Sequence, residues 1–162
     1  MALLFSGCGY HVAGRASRLP DTVTTIAVPA LQNKTSRYRI EQRLTEALVR
    51  EFLQRTKYRI VADPANADAV VRGEVTSIDT SAVLFDTTTG RATALVVTVK
   101  LKVRLEETQT KKVLYSNDNF LFREQYEIST DVNSFFEEQN PALGRLARDF
   151  ASRLVAAIVE NF

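Results

Sequence analysis

The chain is short of the residues that most chemistry needs. It has one cysteine, one histidine and a net charge of only +2. One cysteine cannot form an internal disulfide, so thiol usage neither demands nor excludes an oxidising compartment. The lone histidine, His11, lies near the N-terminus, and a His-dependent triad would have to be assembled on that segment. Without further His or Cys, a metal would have only oxygen ligands. No phosphate-cradling loop of the P-loop or dinucleotide type is present. The small net charge, with no zinc-finger or RNP-type signature, argues against nucleic acid. Outside the N-terminus no run approaches the ~18 consecutive apolar residues of a membrane span. Asp79 with Asp86, or Glu137 with Glu138, could be written as a hydrolytic carboxylate pair, but solvated surface acids are the commoner arrangement. Neither an enzyme nor a cofactor is expected.

What remains is ordinary globular chemistry, 45% hydrophobic and 25% charged over 162 residues, enough for one domain with a full core. No repeat, linker or low-complexity stretch divides it. Residues 8–20 read as an extended leader closed by Pro20. Thr24 to Val28 reads as a first strand ended by Pro29. Ile40, Leu44, Ala47, Leu48 and Phe52 recur on one helical face, predicting a helix over residues 38–55 with Thr35 or Ser36 as N-cap. A brief strand, Tyr58 to Val61, follows, and Asp63-Pro64 opens a loop.

From Ala69 the pattern becomes a β-meander. Between Ala94 and Glu106, Val97, Val99, Leu101, Val103 and Leu105 alternate with Thr98, Lys100, Lys102, Arg104 and Glu106, so one face is core and one is wet. A further strand is predicted over residues 112–127, with an irregularity at Asn117-Asp118-Asn119 and with Phe120 and Phe122 turned to the core. Asn140 caps a closing helix that begins at Pro141, its buried stripe running through Leu143, Leu146, Ala147, Phe150, Leu154, Ala157 and Ile158. The fold class is therefore α+β: a two-layer sandwich with two helices on one face of a four- or five-stranded, largely antiparallel (mixed) sheet. The other sheet face is left open.

Two surface features suggest binding. Lys100, Lys102 and Arg104 form a basic row on the open face, suited to phosphate groups through charge-assisted hydrogen bonds. Arg72 and Arg123 could widen it if register places them there. The alternative is an ordinary solvated strand face. The hairpin tip Phe85-Asp86-Thr87-Thr88-Thr89-Gly90-Arg91 is the second feature, with plain turn chemistry as its alternative.

The N-terminus sets Leu4-Phe5-Ser6-Gly7 directly before Cys8, which resembles the lipobox of a bacterial lipoprotein. Residues 1–7 then read as the remnant of a signal peptide, residues 8–162 as the mature chain, and Cys8 as the acylated N-terminus. At ~0.8 kcal/mol per buried CH₂, two or more acyl chains hold a protein on a membrane stably. A free thiol is the alternative. Cys8-Gly9-Tyr10-His11-Val12-Ala13-Gly14, then Leu19-Pro20, Ile26-Ala27-Val28-Pro29, Asn33 and Thr35, resembles the LPS-assembly outer-membrane lipoprotein family, LptE. The similarity continues through the 38–52 helix, Ala67-Asp68-Ala69, Gly73, the meander, Tyr126 and the closing helix. The short n-region and Phe5 depart from the usual signal.

The resemblance implies a non-enzymatic partner of the outer-membrane β-barrel LPS translocon, LptD, held by its lipid on the periplasmic side of the outer membrane. The α+β body would plug the barrel, support its assembly and bind lipopolysaccharide during delivery. Carried onto this sequence, the lipopolysaccharide contacts are Lys100, Lys102, Arg104, Arg91 and Arg123, and the tip Phe85 to Gly90 is the barrel-contact loop. A lipoprotein module that regulates a cell-wall synthase or a secretion complex is the rival reading, because it shares the Val-Pro strand end, the Asn-x-Thr turn and the amphipathic helix.

Overall fold

The computed structural model describes residues 19–128, 132–137 and 140–160. The predicted leader, His11 and Cys8 lie, apart from Leu19 and Pro20, outside the described residues. The elements run β1 (Thr25–Ala27), β2 (Gln32–Asn33), α1 (Ile40–Arg55), β3 (Arg59–Val61), β4 (Ala69–Phe85), β5 (Ala92–Glu107), β6 (Val113–Glu127) and α2 (Pro141–Glu160), with 3-10 turns at Pro64–Asn66 and Asn133–Phe136. The sheet is mixed, in the order β3-β1-β4-β5-β6, and β2 adds a two-residue pairing to β4. β1 lies parallel to β3 and β4, whereas β4, β5 and β6 form the antiparallel meander.

β1 sits between two strands, and Ile26, Ala27 and Val28 are all buried. A strand covered on both faces reads as a continuous apolar run rather than an alternation. β5 is the contrary case: Val97, Val99, Leu101, Val103 and Leu105 are buried, while Lys100, Lys102 and Arg104 are exposed. Both helices pack on the buried face. α1 supplies Ile40, Leu44, Ala47, Leu48 and Phe52, and Arg55 Nη1 donates to Ser152 of α2 at its carbonyl and hydroxyl, 3.2 and 3.0 Å away. Phe150 of α2 receives the rings of Phe120 and Phe122 edge-on, with centroids 6.1 and 5.9 Å apart, an arrangement that ring quadrupoles favour. Asn140 caps α2, its Oδ1 accepting from Ala142 N at 2.8 Å. Ala157, predicted in the buried stripe, is only half-buried.

The start of α1 differs from expectation. Neither Thr35 nor Ser36 caps it. Arg39 holds the N-cap position in the left-handed region, φ 55°, with no side-chain cap. Thr35 is used one turn earlier: Asn33 Oδ1 accepts from Thr35 N and Oγ1, and Thr35 Oγ1 accepts from Arg37 N. Asn33 Nδ2 then donates to Arg37 O and Glu41 Oε2, both at 2.8 Å. A side-chain turn of this kind competes with helix capping for the same residues.

Candidate functional site

Register decides what the open face carries. A bulge at Thr76, where Val75 pairs with Leu101 and Ser77 with Lys100, exchanges the two faces of β4. Before it, Arg72 and Glu74 lie on the open side; after it, Ser77 and Asp79 do. On β6, Leu101 pairs with Phe120 and Val103 with Asn117, so one extra residue bulges out at Asp118-Asn119, as the depleted Asn-Asp-Asn run predicted. Asn117 Oδ1 accepts from Asn119 N at 2.9 Å across that bulge.

Lys100, Lys102, Arg104, Arg72 and Arg123 thus share one face, but acids stand among them. Arg72 and Arg104 are direct cross-strand neighbours. Each is turned to its own carboxylate, Arg72 Nε 3.7 Å from Glu106 and Arg104 Nη2 3.5 Å from Asp118. Lys102 is registered opposite Glu74. Lys100 is different: its direct neighbours are Ser77 and Leu121. Arg123, opposite Thr98, lies diagonally from it, about 7–8 Å away by strand geometry, with Asp79 on the other diagonal. Leu121 is 54% exposed. The least neutralised part of the row is therefore Lys100 with Arg123, with an exposed leucine beside them.

Sequence reasoning missed Glu74 and Asp118 because it counted charges along one strand, and these two acids come from the neighbouring strands, whereas Glu106 already stood on the wet face of β5. The Asn117-Asp118-Asn119 run signalled the β6 bulge; the bulge at Thr76 that sets the phase of β4 had no such signal. Past Asp118, the face closes at its β1 end, where Ala27 and Val70 are buried.

Arg91 does not join this face. It lies at the β4–β5 tip, nine residues from Lys100 along β5, or roughly 30 Å at strand rise. The tip is a built turn. Asp86 Oδ1 accepts from Thr88 N (3.0 Å), Thr89 N (2.6 Å) and Thr89 Oγ1 (2.8 Å), and Gly90 supplies φ 67°. The Thr89 backbone N–H, then its hydroxyl, hold the Asp86 carboxyl below its ordinary range. Just behind the turn, Val83, Leu84 and Phe85 are exposed in succession, Phe85 at 58%. These three exposed apolar residues form the end of β4, directly before the turn.

Asp79 and Asp86 do not form a carboxylate pair, since seven residues of β4 put them roughly 20 Å apart. Glu138 lies outside the described residues. Among the described residues no three His, Cys, Asp or Glu side chains converge as a metal site, and no helix is long and apolar enough to cross a membrane.

An open, mixed-charge sheet face and an exposed apolar strand end behind the β4–β5 turn are the surface features of this α+β domain. The family model of lipopolysaccharide assembly, LptE, matches residues 23–158, and the chain belongs to that family. No curated protein matches the chain. Solved structures share the fold: a PelC dodecamer from Paraburkholderia phytofirmans at 14% identity, covering 85% of this chain and 89% of that one with TM-score 0.52, and protein XCC0632 from Xanthomonas campestris at 13% identity, covering 86% and 87% with TM-score 0.52.

Proposed function

We propose that the chain is a non-enzymatic outer-membrane lipoprotein, acylated at Cys8 and held on the periplasmic side, that plugs the LPS-translocon barrel LptD, supports its assembly and binds lipopolysaccharide in transit. The observation that carries this reading is the family match over residues 23–158. The surfaces suit the task. The tip Phe85 to Gly90, with Leu84 and Arg91 beside it, offers apolar contact to a barrel wall. Lys100 and Arg123, with Lys102 and Arg104 behind them, offer cations to lipid A phosphates, and Leu121 offers apolar surface to an acyl chain.

The test is recovery of partners. The tagged full-length chain, purified from outer membranes of its host, is expected to bring down the barrel protein and lipopolysaccharide. Recovery of a peptidoglycan synthase without the barrel would overturn the assignment in favour of a cell-wall module. Mass spectrometry of the mature N-terminus is expected to show an acylated Cys8; an unprocessed Met1 would contradict the anchor.

A further inference from the structure

β6 is the last strand of the sheet, and among the described residues it pairs only with β5. Every second residue of such a strand turns its backbone N–H and C=O away from the sheet, where a further strand can take them. From Phe120 to Glu127 the pairing with β5 runs without a register shift, so beyond the Asp118-Asn119 bulge the outer edge is regular. It holds no proline or lysine, the residues that commonly blunt an edge. Its one charge on the core-facing side, Glu124, is neutralised by Arg153 of α2.

α2 makes that edge one wall of a groove. An open concavity of about 510 Å³ has Glu124, Gln125 and Tyr126 among its lining residues and, from α2, Arg145, Asp149 and Arg153. Successive strand residues project to opposite faces, so a concavity that touches three in a row lies along the backbone edge itself. Both of its acids are engaged: Glu124 with Arg153, whose guanidinium also lies 5.2 Å from the Phe122 ring centroid, and Asp149, whose Oδ2 accepts from the Tyr126 hydroxyl at 3.3 Å. Arg145, exposed, has no carboxylate partner among the described residues. Arg123 has none either, and it is exposed on the open-face side of the same edge, two residues from the exposed Leu121. A strand laid along β6 meets an unpaired cation on each of its two sides.

We propose that this groove takes an extended acidic segment of a partner protein, added to β6 as a further strand, with carboxylates opposite Arg123 and beside Arg145 and an apolar side chain against Leu121. In this mode main-chain hydrogen bonds give affinity and the flanking side chains give specificity, and opposite charges facing each other across two strands are favourable pairs. A second copy of the chain fits worse. Opposed residues of an antiparallel pair share a face, so twofold self-pairing is centred on a residue. The registers centred on Arg123 and on Glu124 set like charges face to face, and the one centred on Gln125, which matches Arg123 with Glu127, overlaps only from Arg123 to Glu127. The inference goes beyond the lipopolysaccharide reading: it uses the backbone edge of β6 and needs no lipid, sharing with that reading only Arg123 and Leu121.

Amide hydrogen exchange by NMR on the isotope-labelled full-length chain tests it. The probes are two synthetic peptides of about ten residues, the length of a long strand, both alternating threonine and valine, one with glutamates and one with lysines in place of its central threonines. The acidic peptide is expected to slow exchange about tenfold or more at alternate residues between Phe120 and Glu127, and the basic peptide to protect them far less. Arg123→Glu with Arg145→Glu should reverse that preference at an unchanged thermal midpoint. Should this variant unfold, Arg123→Gln should bring the two peptides closer together. No protection by either peptide, or equal protection by both, overturns the proposal. Protection that grows with the chain's own concentration in the absence of peptide assigns the edge to a second copy and also overturns it. Lipopolysaccharide binding without peptide protection sinks this inference alone, and protection by the acidic peptide in a chain that binds no lipopolysaccharide upholds it while sinking the earlier reading.

Discussion

Leu121 stands directly opposite Lys100 across the β5–β6 pair, so this cation of the open face has an exposed apolar neighbour there instead of a carboxylate. This distinguishes Lys100 from Lys102, which faces Glu74.

The two lysines are therefore expected to differ. Lys100→Glu should lower lipopolysaccharide affinity about tenfold, the scale of one lost charge-assisted contact, whereas Lys102→Gln should lower it less. Lys100→Glu with Lys102→Glu should weaken binding further while the chain stays folded. Surface plasmon resonance on immobilised lipopolysaccharide checks this, and unchanged binding would reduce the row to ordinary wet surface.

Gly73 is expected to resist even alanine. A Cβ there would lie 2.5 Å from Leu31 Cδ2, and Leu31 is itself buried. Overpacking of this kind costs about 1–3 kcal/mol, and each kcal/mol lowers the melting temperature by roughly 2–4 °C in a chain of this size. Gly73→Ala made together with Leu31→Ala should destabilise by less than the two single changes added, because the second removes the atom the first strikes.

Asp68 ties β1 to the start of β4. Its Oδ2 accepts from Thr24 N (2.9 Å), Thr24 Oγ1 (2.8 Å) and Thr25 N (2.9 Å). The backbone N–H of Thr24, then its hydroxyl, then the N–H of Thr25 hold the carboxyl below its ordinary 3.8. A folded-state value below the unfolded one means the stabilisation is present above the unfolded value and is lost as pH falls through the folded one. Asp68→Asn should thus be less stable than the native chain at neutral pH, with the gap closing as pH falls below the ordinary carboxyl value and through the lowered folded one. Urea midpoints at neutral and at strongly acidic pH check this; a gap that does not change with pH would contradict it.

Phe150 fastens α2 to β6 through two edge-on rings. Phe150→Ala should cost about 3–5 kcal/mol, read as the unfolding midpoint in urea. A loss under 1 kcal/mol would show that the helix is held elsewhere.

Much of this architecture was legible wherever one periodicity ran without interruption. The β5 alternation, the α1 and α2 stripes, the Asn140-Pro141 start and the weak point at Asn117 to Asn119 all follow from local rules. The misses share a cause: they depend on what lies across from a residue. Thr35 looked like a helix cap because its competing partner, Asn33, acts through a turn. β2 is too short to show a period. Arg91 was grouped with Lys100 by charge, although strand length separates them. The acids Glu74 and Asp118 entered the face only through register, and only register set Glu106 beside Arg72.

The most direct measurement is photo-cross-linking in living cells, with benzoylphenylalanine in place of Phe85 at the tip and, as a control, in place of Lys57 between α1 and β3. Under the proposed function the tip position cross-links to the outer-membrane barrel in preference to the control. A tip that cross-links to no barrel, while the chain is present in the outer membrane at normal abundance, would contradict it.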